Sequence, residues 1–119
     1  MSVIEAYNKT KASSLGAAIE VADSSATRNK GLLGRDGLEP GGGLWIVPCE
    51  AIHMFFMRFP IDVVYLDKQR RIVKIVPELK PWRLSASLKA HSVLELPAGA
   101  AAEAGAEPGD EIEIRREAA

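Results

Sequence analysis

The sequence predicts an α+β domain that is mainly antiparallel β, a small barrel-like or rolled sheet carrying one short helix. Three observations lead there. Seven or eight short runs of branched and aromatic residues follow one another, separated by Gly, Pro, Asp and Asn. Only one segment, starting at Ser25, combines helix-start chemistry with a glycine stop. The strand-like runs lie close together, and a hairpin needs only a short loop where a parallel pair needs a long crossover.

Taken in order, Ser2 to Asn8 reads as a first strand. In Ala17 to Ala22 (AAIEVA), Ile19 and Val21 share one face and Glu20 points the other way. Asp23-Ser24-Ser25 ends that pattern and offers side-chain oxygens to orphan helix N–H groups. A helix of about two turns is expected over Ser25 to Leu33, stopped by Gly34. Asp36-Gly37 and Pro40 to Gly43 make a flexible connection. Leu44 to Val47 is a short strand that Pro48 ends.

Ile52 to Met57 (IHMFFM) has strand composition, and Arg58-Phe59-Pro60 then turns the chain. Ile61 to Leu66 and Arg71 to Val76 flank a hairpin loop, Asp67 to Arg70. Pro77 and Pro81 bracket an irregular stretch. Val93 to Leu96 is another strand, and Ala98 to Gly105 offers one helical turn with little to bury. Glu111 to Arg115 alternates, placing Ile112 and Ile114 inward, and Arg116 to Ala119 reads as a frayed tail.

Composition bounds the function classes. At 119 residues the chain fits a single domain spanning residues 1–119. A formal charge of −1 gives nucleic acid or an anionic membrane nothing to attract. The lone Cys49 excludes an intrachain disulfide and any four-cysteine metal site. Met1 to Ala6 carries Glu5 and lacks the apolar run of a secretory signal, so the expected compartment is the cytoplasm and no membrane association is expected.

The densest polar grouping runs from Cys49 to Asp62. Cys49 and His53 stand four apart, followed by Arg58 and Asp62. A thiol beside an imidazole supplies a nucleophile and its base. It also supplies half of a zinc site, but only His91 and scattered carboxylates remain to complete one, so neither metal nor cofactor is expected. The alternative is a Cys packed as a small hydrophobe and a His hydrogen-bonded at a sheet end. Asp62, set between Ile61 and Val63, must be paired if buried, and Arg58 or Arg83 can serve. Glu95, inside Val93 to Leu96, poses the same question, and the two carboxylates can do acid–base work only if they face one cavity.

Arg28 to Arg35 (RNKGLLGR) is basic and glycine-bearing, but it lacks the Lys-Ser/Thr pair of a P-loop. It also lies at the helix C-terminus, where cations suit the dipole and phosphate does not. Gly41 to Gly43 has no dinucleotide-binding spacing. No helix-turn-helix or aromatic–basic interleaving points to nucleic acid. Trp45 and Trp82 are read as core packing or an interface.

These pieces together resemble a known family. Val21-Ala22-Asp23, Arg28, Gly31-Leu32-Leu33 and Arg35 look like its opening signature, followed by Gly43 to Pro48 (GLWIVP). The most specific stretch is Cys49 to Asp67 (CEAIHMFFMRFPIDVVYLD), then Val93 to Gly99 (VLELPAG) and Pro108-Gly109-Asp110. The resemblance is to Domain of Unknown Function 192, small bacterial and archaeal proteins, and covers about residues 17–115. It implies a compact β-rich single domain of the unexported kind. It also implies that Cys49, His53, Arg58, Asp62, Arg83 and Glu95 occupy motif positions. One departure is Met54, where family members with the Ile-His pair commonly carry Thr.

The leading expectation is a binding or accessory domain with a cleft near Cys49 to Asp62, holding a small molecule or a protein partner through His53, Arg58, Asp62, Arg83 and Glu95. The alternative is a thiol- and histidine-dependent, hydrolase-like enzyme with Cys49 as nucleophile, His53 as base and Asp62 as orienter. That reading requires a depressed Cys49 pKa. A DNA-linked regulator is a third class.

Overall fold

A β-hairpin opens the chain. β1 (Val3–Asn8) and β2 (Ser13–Ala22) run antiparallel, in a computed structural model that describes residues 2–116. The remaining elements are α1 (Ser25–Lys30), β3 (Gly42–Ile46), β4 (Ala51–His53), β5 (Ile61–Leu66), β6 (Ile72–Leu79), β7 (Leu84–Ala86), β8 (Ser92–Pro97), α2 (Ala100–Glu103) and β9 (Ile112–Arg116). Seven strands share one sheet in the order β6-β5-β8-β3-β2-β1-β9, while β4 and β7 pair separately.

The fold is the expected small rolled sheet, with one exception to its antiparallel pattern. β2 and β3 run parallel, because α1 and the loop after it carry the chain back to the starting end of β2 before β3 begins. The sheet curls until its edge strands meet at the Arg71–Glu111 bridge. There Ile72 N–H donates to Asp110 O (2.9 Å) and Ile112 N–H to Arg70 O (2.8 Å).

Two apolar cores lie on opposite faces of this sheet. Inside the curl are Ile4, Ile19, Val21, Trp45, Val64, Leu66, Leu94 and Leu96, closed by Ala101 of α2. On the other face Leu44, Ile46, Ile61, Val63, Tyr65 and Val93 are covered by Leu32, Met54 and Met57. β5 is consequently buried at all six positions and, apart from Asp62, reads as an apolar run rather than an alternating one. Each fully buried Leu or Ile here contributes roughly 1.5–3 kcal/mol by leaving water.

Several elements differ from expectation. α1 ends at Lys30, not Leu33. Ser24 caps it, accepting from Thr27 N–H, and Gly31 in a positive-φ conformation stops it three residues before Gly34. Strand pairing within Ile52 to Met57 stops at His53, since Met54 to Met57 forms a turn with Phe56 at φ 64°. β6 continues through Pro77, where a bulge opposite Asp62 leaves no ladder bond for the missing N–H to make. Arg116 belongs to β9, and residues 117–119, expected as a frayed tail, lie outside the described residues. Trp45 is core, whereas Trp82 is 58% exposed. Among the described residues, no helix is long and apolar enough to cross a membrane.

Candidate functional site

Pairing register decides where the two strand carboxylates go. Val63 of β5 stands opposite Glu95 of β8, so Asp62, one residue away, faces the other side of the sheet. The two therefore share no cavity. Asp62 is fully buried towards the first core, and no arginine pairs with it. Its carboxylate accepts from three backbone N–H groups: Glu78 (2.9 Å), Gly99 (3.1 Å) and Ala101 (2.9 Å). The last two are the orphan donors at the start of α2, which has no side-chain cap of its own. Asp62 fastens α2 and the β6 bulge to the sheet, and it does not orient His53.

Glu95 faces the second core, in a cross-strand row with Leu44 and Val63. It is 6% exposed, and among the described residues nothing hydrogen-bonds its carboxyl group. Burial pushes its pKa up to about 7, opposed by the positive charge of Arg35. Arg35 itself is bonded to Glu20 on β2.

The Glu95 carboxyl opens onto a cleft of about 380 Å³ between the end of α1 and the segment from Pro48 to His53. Leu32, Ile46, Ile52 and Met57 supply its apolar walls. Arg28 and Lys30 come from the last turn of α1, where positive side chains complement the helix dipole. Arg28 Nη1 donates to the Pro48 carbonyl at 3.4 Å, while its Nε is buried without an acceptor. From sequence, Arg28 belongs to the resemblance's opening signature, and the basic run Arg28 to Arg35 reads as a helix-end cluster rather than a ligand site. The place of Arg28 and Lys30 in the cleft lining depends on how α1 packs, which no local pattern encodes.

Cys49 and His53 both line this cleft. The Cys49 thiol donates to Ala51 O (3.2 Å), and burial pushes its pKa up, away from the thiolate that nucleophilic attack requires. His53, exposed on β4, accepts the Phe55 N–H at Nδ1 (3.3 Å) and stacks on the Phe55 ring, with centroids 5.1 Å apart. Its proton is thereby assigned to Nε2. Arg58 and Arg83 lie outside the cleft lining. Arg58 is exposed and paired with Asp36 (2.7 Å), and Arg83 precedes β7, its carbonyl accepting Met54 N–H (2.8 Å). Met54 is 1% exposed in the second core, so the side chain that departs from the family pattern packs and meets no ligand space. Among the described residues, no three His, Cys, Asp or Glu side chains form a metal-ligand group.

Comparison with solved structures finds the same fold twice. A protein from Sinorhizobium meliloti, described as a candidate transcription regulator, superposes with a TM-score of 0.81 at 23% identity, over 93% of this chain and 91% of that one. A protein of unknown function from Novosphingobium aromaticivorans gives 0.79 at 24% identity, over 92% and 82%. At these identities the likeness concerns the fold. In sequence, a UPF0127 protein of Pyrococcus abyssi is 34% identical over 113 residues, covering 89% of this chain and 93% of that one. A UPF0127 protein of Thermococcus sibiricus is 35% identical over 115 residues, covering 89% and 71%. The model of Domain of Unknown Function 192, described as Uncharacterized ACR, matches residues 6–114, and with that span and those archaeal relatives the chain belongs to this family.

Proposed function

We propose that this protein is a small-molecule binding domain whose ligand sits between α1 and β4, against Glu95, Arg28, Cys49 and His53. One observation carries the reading. Glu95 is a carboxyl group 6% exposed, without a hydrogen-bond partner among the described residues, and facing an open cleft. A buried polar group left unpaired costs about 1–3 kcal/mol. A ligand group that pairs with it recovers that loss as affinity, and apolar walls with a few converging polar groups are the usual make-up of a small-molecule site.

The thiol-enzyme alternative draws no comparable support. The Cys49 thiol is committed to Ala51 O, burial raises its pKa, and Asp62 is on the far side of the sheet. The DNA-linked alternative rests on the description of the Sinorhizobium protein, while this chain has a net charge of −1 and, among the described residues, helices of only six and four residues.

The test is a metabolite screen by backbone-amide NMR on wild type and Glu95→Gln. Compounds that perturb Gly31 to Leu33 and Cys49 to His53 in wild type, and bind the variant at least about tenfold more weakly, support the site. A screen in which no compound moves those amides overturns it.

A further inference from the structure

The cleft carries two unmet polar groups of opposite character. Glu95 presents a carboxyl group without a donor, and Arg28 presents a half-buried guanidinium whose one hydrogen bond among the described residues is the long 3.4 Å contact from Nη1 to the Pro48 carbonyl. They do not satisfy each other. No ion pair forms between them, and the charge acting on Glu95 is that of Arg35. Cys49 does not fill the gap, since its thiol is turned to Ala51 O. Both residues line the same cleft, whose apolar walls are Leu32, Ile46, Ile52 and Met57.

A ligand that meets both needs has a donor at one end and an acceptor at the other. A carboxylate facing Glu95 alone would be repelled, and an amine facing Arg28 and Lys30 alone would meet like charge. A cation at Glu95 and an anion at Arg28 turn both liabilities into charge-assisted hydrogen bonds, which are roughly twice as strong as neutral ones. The aliphatic walls take a branched hydrocarbon group, and about 380 Å³ is at the small end of ligand pockets.

On the reading that this cleft is a ligand site, we infer that it takes a small zwitterion, a free amino acid with an aliphatic side chain, its ammonium on Glu95 and its carboxylate on Arg28 with Lys30 alongside.

The experiment titrates the full chain with four probes, followed by backbone-amide NMR: L-leucine, N-acetyl-L-leucine, L-leucinamide and the neutral alcohol isoamyl alcohol. L-leucine is expected to shift Gly31 to Leu33 and Cys49 to His53. Acetylation removes the cation and amidation the anion, and each is expected to weaken binding by at least about tenfold. Glu95→Gln should erase the preference for leucine over its acetyl derivative, and Arg28→Gln the preference over its amide. The wild-type comparison stands alone should either variant fail to fold. Equal binding of leucine and either derivative overturns the assignment. If the alcohol or one singly charged derivative moves the cleft amides and leucine does not, the zwitterion falls and the cleft survives as a binding site. If none of the four moves them, this assignment falls. The wider metabolite screen then decides whether the cleft binds anything.

Discussion

Asp62 on β5 and Glu95 on β8 are buried carboxylates on hydrogen-bonded neighbouring strands, and they have opposite fates. Asp62 is saturated by three backbone N–H groups and holds α2 and the β6 bulge in place. Glu95 has no such donor, and its pKa rises to about 7 as burial disfavours its charge. Burial alone therefore does not mark a functional carboxylate in this fold. What supports the proposed site at Glu95 is its unmet hydrogen-bonding capacity, since an interior polar group without a partner costs stability.

Breaking the Asp62 side should have the largest effect. Asp62→Ala strands three N–H groups at once, that of Ala101 buried and those of Glu78 and Gly99 part-buried, and we expect a loss of about 3 kcal/mol in urea unfolding. A change below about 1 kcal/mol would show that the carboxylate does not fasten α2.

Glu95 should behave with the reverse sign. Its folded pKa lies above the unfolded value, so the folded state holds the proton more tightly. Stability is then highest below the unfolded value near 4.5 and falls as pH rises towards about 7, by about 3 kcal/mol over that window. Unfolding at pH 4.5 and pH 8 should show this slope in wild type, and Glu95→Gln should flatten it. A slope unchanged in the variant would assign the titration to another group.

A third substitution disturbs the strand under Glu95 without touching its side chain. Gly43 has φ 153°, and a Cβ there would stand 2.5 Å from the Glu95 carbonyl oxygen. Gly43→Ala must push β3 from β8, and we expect a loss of about 2 kcal/mol together with weaker binding in the cleft. Arg58→Ala is the control outside both regions. Its ion pair with Asp36 is exposed on both sides, so stability should change by under about 0.5 kcal/mol, with ligand affinity unmoved.

Much of the fold was legible because local chemistry and global packing agree. The β5–β6 hairpin around Asp67 to Arg70, the alternation of Ile19 and Val21, and the serine-capped start of α1 each follow from residues adjacent in sequence. Legibility failed where tertiary context overrode local composition. Branched and aromatic residues in Ile52 to Met57 argue for a strand, yet Met54 to Met57 turns so that Met54 and Met57 can cover the second core. Pro77 argues against a strand, yet it is tolerated on an edge strand at a bulge.

The sequence by itself determined a β-rich single fold, the one capped helix and the residue types available for chemistry, because periodicity, caps and turns act within a few residues. Only the tertiary structure decided which of those types meet. Side chains alternate with a period of two, so a single residue of register sends Asp62 to the first core and leaves Glu95 facing the cleft. That register, and the packing of α1 that brings Arg28 to the same space, are set by contacts between segments distant along the chain.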